Sequence, residues 1–112
     1  LVDLVATDHQ LCTEVSLQST PGHTPGHVSV KIESEGEQAL ITGDCIHHPV
    51  QMTRTDWCSS ADYDQSEGRL TRENLLSELV NQNVLVIGTH FATPTAGHVK
   101  GLPEGGYWLD VR

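Results

Sequence analysis

Residues 20–27 read TPGHTPGH and lead directly into the strand-like run VSVKI at residues 28–32. Proline fixes the backbone angle φ, and glycine permits conformations that are closed to other residues. Each Pro-Gly-His unit therefore restricts the direction in which its imidazole points. Because histidine is the commonest side-chain ligand of protein-bound metals, the stretch predicts a rigid turn that presents His23 as a candidate metal ligand.

Two later segments share one pattern, in which an apolar strand is followed by glycine and then by a ligand-type residue. LITGD at residues 40–44 ends in Asp44, and VLVIGTH at residues 84–90 ends in His90. Taken alone, Asp44 is explained equally well as a strand-end cap and His90 as a core histidine. Their joint occurrence with the histidine turn is more specific, because ligand-type residues at three strand ends can meet at one rim of a sheet.

Taken together, these segments resemble the metallo-β-lactamase superfamily, specifically the C-terminal half of its αββα sandwich. The run from Gly88 to Val99 resembles the branch that holds N-acyl-homoserine lactonases and methyl-parathion-hydrolase-type enzymes. The resemblance implies that His23 binds one metal, that His90 binds a second, and that Asp44 bridges the two as the catalytic carboxylate. It also implies zinc, up to two ions in intact relatives, and hydrolysis of a small molecule such as a lactone, an ester or a phosphotriester.

The chain departs from this family in one respect, because the HxHxDH motif of the N-terminal half is absent. Residues 1–112 are therefore expected to form a single partial domain that lacks that half. Without HxHxDH each metal keeps about two protein ligands, whereas catalytic zinc sites usually have three. We expect zinc binding and hydrolysis by this chain alone to be weak or absent.

Three further histidines are candidates for orienting the ligands or for lining the pocket. His27 begins the strand that follows the turn, and we expect it to orient its neighbours through hydrogen bonds. His47 follows Asp44 closely enough to line the pocket. His98 lies in the Ala-Gly-His run at residues 96–98, where the alternative is an exposed hairpin residue.

Composition excludes several classes of function. Fifteen acidic residues against six basic ones give a net charge of −9, and no Lys/Arg cluster is available to bind phosphates, so nucleic acid is excluded as a partner. No apolar run reaches the length of a membrane span. The three cysteines show no CxxC spacing, which favours a reducing, cytoplasmic setting. Cys45 is expected to pack in the core, pointing away from Asp44.

Hydrophobic patterning predicts an α+β fold made of a mixed β-sheet and one main helix. Strands are predicted at residues 14–19, 27–33, 39–42 and 84–87, with a possible edge strand at 1–5 and a final hairpin within 97–109. An irregular segment at residues 44–62 is predicted to form a wall of the substrate site. The helix follows this segment, with Asp64 or Thr71 as its N-cap.

The three central strands are apolar enough to need cover on both faces, and one helix can cover only one of them. We expect the sandwich to be completed by a homodimer or by a separate N-terminal half. Three interpretations remain open. They are a hydrolase that needs such a complementary half, a catalytically silent dimeric binding module, and a homodimer whose shared site uses Cys45 or His47 to supplement the three ligands.

Overall fold

A computed structural model describes all 112 residues of the chain. It contains one six-stranded sheet, two α-helices and a short 3-10 turn. The strands are β1 (Val15–Ser19), β2 (Val28–Ser34), β3 (Glu37–Ile41), β4 (Val84–Ile87), β5 (Ala96–Gly101) and β6 (Tyr107–Asp110). The 3-10 turn spans Gly43–Cys45, and the helices are α1 (Val50–Thr53) and α2 (Gln65–Leu79). None of the helices has the length and apolar character needed to cross a bilayer.

The sheet follows the order of the chain, from β1 at one edge to β6 at the other. Only β3 and β4 pair in parallel, and the connection between them contains α2, while every other pair is antiparallel. A parallel pair requires such a crossover because the chain must return to the starting end of the sheet. The predicted mixed sheet with one main helix is confirmed.

Local sequence explains the position of α2. The Asp64 side chain accepts a hydrogen bond from the backbone N–H of Glu67, so Asp64 is the N-cap. The alternative cap, Thr71, was a wrong prediction, because it lies inside the helix and its hydroxyl donates to the carbonyl of Pro21 at 2.6 Å. The helix ends at Leu79, and Asn81 follows with φ at 59°, in the left-handed region.

The predicted edge strand at residues 1–5 is not formed. Leu1, Val2 and Leu4 are exposed, and none of the first five residues belongs to a strand. The outer edge of β1 is instead occupied by a later segment, since Leu17 donates to the carbonyl of His9 and Leu11 donates to that of Val15. The edge position that residues 1–5 would need is therefore already filled.

The core lies between α2 and one face of the sheet. Leu40, Val86 and Val99 point from neighbouring strands toward Leu75, Leu76 and Leu79 of the helix, and all six are buried. Ile46 and Met52 extend this core beneath the segment that leaves β3. Cys45 is 4% exposed and joins the core, which confirms its predicted packing role.

The opposite face of the sheet is apolar and carries no helix. Leu17, Val30, Ile41 and Ile87 are cross-strand neighbours in one row across β1 to β4. A second row contains Val15, Ile32, Ala39 and Leu85, and Leu85 is 38% exposed. Side chains alternate between the faces of a sheet, so these two rows share the face that α2 does not cover. We call the eight residues the open face.

Candidate metal centre

The turn that carries His23 is pressed against the start of α2. Gly22 has φ at 128°, and a Cβ atom at this position would lie 2.3 Å from the Cα of Gly68. The absence of a side chain at Gly22 therefore allows the turn and the helix to approach closely, whereas a Cβ atom at Gly68 would meet nothing nearer than 3.6 Å. The approach is secured by backbone hydrogen bonds, from Asp64 to the carbonyl of Gly22 and from Tyr63 to that of His23.

The positions of Asp44 and His90 follow from the parallel pairing of β3 and β4. Parallel strands end at the same edge of a sheet, so the segments that leave β3 and β4 begin side by side. The backbone N–H of Thr42 donates to the carbonyl of Ile87 at 3.0 Å, which prolongs this alignment beyond β3. Asp44 and His90 lie just past that contact and face each other across the strand ends.

The carboxylate of Asp44 lies between two imidazoles. Its Oδ1 is 2.7 Å from Nε2 of His90, and its Oδ2 is 3.3 Å from Nε2 of His23. Each carboxylate oxygen of Asp44 thus lies close to a different histidine. A carboxylate that bridges two metal positions has this arrangement. The side chains of Asp44 and His90 are 37% and 49% exposed, so the group opens to solvent.

His47 occupies the space between the other two imidazoles. Its ring centroid lies 5.1 Å from that of His23 and 5.4 Å from that of His90, on which it stacks at 21°. The backbone N–H of His47 donates to Oε1 of Gln51, while its Nδ1 is buried without a hydrogen-bond partner. The structure therefore places an imidazole that has one nitrogen without a hydrogen-bond partner beside the two predicted ligands.

The charges of this group affect one another. Burial acts to raise the pKa of Asp44, but the hydrogen bond and charge of His90, with His23 and His47 nearby, outweigh it and lower the pKa below its ordinary value. Burial lowers the pKa of His47, against the attraction of Asp62. Both shifts favour an anionic carboxylate beside a neutral imidazole, and these are the forms that bind a metal.

His27 supports Asp44 from behind. Its Nε2 accepts a hydrogen bond from the backbone N–H of Asp44 at 2.8 Å. On the other side of the ring, Nδ1 lies 2.9 Å from both the hydroxyl and the carbonyl oxygen of Thr20. Gly43 is part of this arrangement, since its φ is 58° and a Cβ atom there would lie 2.7 Å from Nε2 of His27.

His98 does not join the group, contrary to the sequence prediction. β5 runs antiparallel to β4, so the chain moves away from the site as it passes from Ala96 to Gly101. His98 pairs with Asp110 in the register of β5 and β6. It borders a shallow depression beside Asn83, which precedes β4, whereas His90 follows β4 at its other end.

Two residues at this site were missed in the sequence. Asp62 lies 3.1 Å from Nδ1 of His23, and nothing in the irregular segment around it distinguishes it from the other polar residues. Arg72 had a detectable signal, because it precedes Leu75, Leu76 and Leu79 at helical spacing and so places a charge on the apolar stripe of α2.

Arg72 fastens the segment that leaves Asp44. It is 1% exposed, and its guanidinium donates to the carbonyls of Cys45, Thr55 and Trp57 at 3.0–3.1 Å. It makes no ion pair with a carboxylate. Its Nε is buried without a hydrogen-bond partner. Because burying a charge is costly unless it is hydrogen-bonded, Arg72 depends on these three carbonyls, and it in turn holds the irregular segment that carries Thr55 and Trp57.

The donor set fits a zinc ion. Imidazole nitrogens and carboxylate oxygens bind zinc at about 2.0–2.2 Å, and the 3.3 Å between His23 Nε2 and Asp44 Oδ2 allows both atoms to reach one ion. A second group of possible ligand atoms, from His23, His47 and Asp62, lies within 4.8 Å of one another. Three imidazoles and two carboxylates thus converge at one rim.

Comparison with known proteins identifies the family. A sequence profile described as "Metallo-beta-lactamase superfamily" matches residues 1–90, which is most of the chain. No curated protein sequence matches significantly. The chain therefore belongs to the metallo-β-lactamase superfamily on the strength of the profile.

Solved structures agree with this assignment. AidC, a dizinc quorum-quenching lactonase, superposes with a TM-score of 0.86 and 25% identity over 96% of this chain. The hydrolase AbOPH gives 0.81 and 25% identity over 90% of the chain. A probable metal-dependent hydrolase from Staphylococcus aureus gives 0.74 at 21% identity over 95%. The matched regions are only 37%, 35% and 39% of those three chains, so this chain shows a partial metallo-β-lactamase fold.

Proposed function

We propose that this chain, a member of the metallo-β-lactamase superfamily, supplies the C-terminal half of a zinc-dependent hydrolase that acts on small lactones, esters or phosphotriesters. The observation that carries the proposal is the placement of Asp44, whose two oxygens address His23 and His90 separately. The dizinc lactonase AidC shares this fold, which supports zinc as the metal.

The proposed roles follow from the positions of the side chains. His23 holds one zinc through Nε2, His90 holds the other, and Asp44 joins the two positions. His27 fixes the backbone of Asp44, and His47 lines the space between the two ligand histidines. When bound, zinc supplies Lewis-acid polarisation of a carbonyl or phosphoryl oxygen and lowers the pKa of water.

We further propose that a complementary N-terminal half covers the open face and supplies the missing HxHxDH ligands. The chain spans 35–39% of the matched structures, and the open face is the surface of the sheet that no helix covers. The net charge of −9 and the absence of a Lys/Arg cluster argue against nucleic acid as a partner. Three free cysteines support a reducing, cytoplasmic location.

Co-expression with the N-terminal half of a matched lactonase tests the proposal. We expect the complex to retain zinc and to hydrolyse an N-acyl-homoserine lactone, while this chain alone binds zinc weakly and stays near the background rate. Asp44→Asn should remove both properties from the complex, and Asp56→Asn, an exposed acidic site, serves as the charge-matched control. A complex without zinc, or robust turnover by this chain alone, would contradict the proposal.

A further inference from the structure

The side chain of Asp62 is almost fully buried although it is a carboxylate. It is 3% exposed, and its two oxygens have different partners. Oδ1 lies 3.1 Å from Nδ1 of His23, and Oδ2 accepts the backbone N–H of Ser59 at 3.1 Å. Because burying a carboxylate is costly unless it is paired and hydrogen-bonded, these two contacts account for its position.

The surrounding backbone holds Asp62 against His23. Tyr63 donates to the carbonyl of His23 at 3.1 Å, and Asp64 donates to that of Gly22 at 2.9 Å. Asp64 is also the N-cap of α2. The segment that carries Asp62 is therefore attached to the histidine turn on one side and to the helix on the other, which leaves the Asp62 side chain little freedom to move away.

We propose that Asp62 is a positioning residue that holds the proton of His23 on Nδ1 and so keeps Nε2 free to bind zinc at the Asp44 rim. The inference rests on the proposed function for the zinc-binding role of His23, but the contacts of Asp62 that support it lie within this chain. An ionised carboxylate can only accept hydrogen bonds, so the ring atom that faces Asp62 is the donor. The opposite ring atom, Nε2, is the one that lies 3.3 Å from Asp44.

Direct binding of a metal by Asp62 agrees less well with these contacts. A metal at Oδ1 would have to displace His23 from it, and Oδ2 is already engaged by Ser59. Carboxylate–histidine pairs behind a metal ligand are common, and their loss typically lowers metal affinity by about 10–100-fold. Asp62 has the position of such a partner.

Ring nitrogen NMR of the metal-free chain tests the proton position directly. In alkaline buffer, where imidazoles are neutral, we expect His23 of the native chain to be protonated at Nδ1. Asp62→Asn should move the proton to Nε2, because the single amide oxygen can satisfy Ser59 only by turning its NH₂ group toward His23. Asp64→Asn is the matched control, since asparagine also caps helices well. A native His23 protonated at Nε2 would overturn the inference.

Zinc titration of the complex with the complementary half, against a chromophoric chelator, then tests whether Asp62 supports zinc binding through His23. Asp62→Ala should weaken zinc binding by about 10–100-fold in the native background and by less than about twofold in a His23→Ala background. Equal losses in both backgrounds would identify Asp62 as an independent ligand and overturn the inference. If Asp62→Ala does not fold, the NMR result on the native chain and on Asp62→Asn still decides.

These results also separate the inference from the proposed function. An Nδ1-protonated His23 in a chain that binds no zinc, even with the complementary half present, would preserve the positioning role and contradict the hydrolase. A second outcome is that the protein binds zinc, that His23 is protonated at Nδ1 only after metal is added, and that Asp62→Ala leaves the zinc affinity unchanged. This outcome would preserve the hydrolase and contradict the positioning role.

Discussion

The backbone N–H of Asp44 donates a hydrogen bond to Nε2 of His27 at 2.8 Å, although 17 residues separate them. The bond fixes the turn that aims the Asp44 carboxylate, and it requires a residue without a side chain at position 43. Gly43 leaves the space open, since a Cβ atom there would lie 2.7 Å from the same nitrogen.

Gly43→Ala should therefore destabilise the fold and disturb the site. The left-handed backbone at φ 58° costs an alanine about 1–3 kcal/mol, and displacing His27 adds to this loss. Gly36→Ala is the control, because φ is 86° there and nothing lies near the added atom. Urea denaturation of both variants measures the difference. Equal losses would mean that the His27 contact contributes nothing.

Arg72→Met should lower the free energy of unfolding by about 3 kcal/mol, because three buried carbonyls lose charged donors worth about 1.5–3 kcal/mol each and the apolar methionine recovers part of the loss. Arg69→Ala is the comparison on the same helix. Its guanidinium is 52% exposed and bonds only to Glu73 at i,i+4, so we expect a change below about 0.5 kcal/mol. A similar small change for Arg72→Met would show that the irregular segment is held by other contacts.

The cysteines should differ in reactivity toward iodoacetamide. Burial raises the pKa of the Cys45 thiol to about 11, and the residue is 4% exposed, so little thiolate forms and little of it is accessible. Cys12 is exposed. Mass spectrometry over a time course should show Cys12 modified first and Cys45 only after unfolding. Early labelling of Cys45 in the native chain would contradict the packing described for it.

The isolated chain should associate through its open face, because its eight apolar residues form one contiguous patch that no helix covers, and contiguous apolar patches mark association sites. Light scattering over a dilution series should give a mass above the 12.2 kDa of one chain at micromolar concentration. Leu85→Lys, at the most exposed of these positions, should shift the mass toward the monomer, and Leu70→Lys, on the exposed side of α2, should not. A stable 12.2 kDa species in the native chain would contradict this prediction.

Much of the fold was predictable because its signals are local. The β2–β3 hairpin, the strand at residues 84–87 and the final hairpin all follow from short apolar runs bounded by turn residues. The mistakes arose where local signals were ambiguous. Thr71 has the chemistry of an N-cap but lies within a helix already capped by Asp64, and residues 1–5 resemble a strand whose pairing edge is taken by residues 9–11.

The sequence alone determined the turns that present His23, Asp44 and His90, because a glycine within two residues before each ligand permits a sharp turn, and Pro21 also fixes φ before His23. Only the tertiary structure decided what surrounds them. Asp62 reaches His23 across 39 residues, and Arg72 reaches Cys45 across 27. Such contacts depend on how close two segments can approach, as at Gly22 and Gly68, and on which buried groups need partners. The local sequence shows neither which distant segment a turn will meet nor which buried group will become its partner.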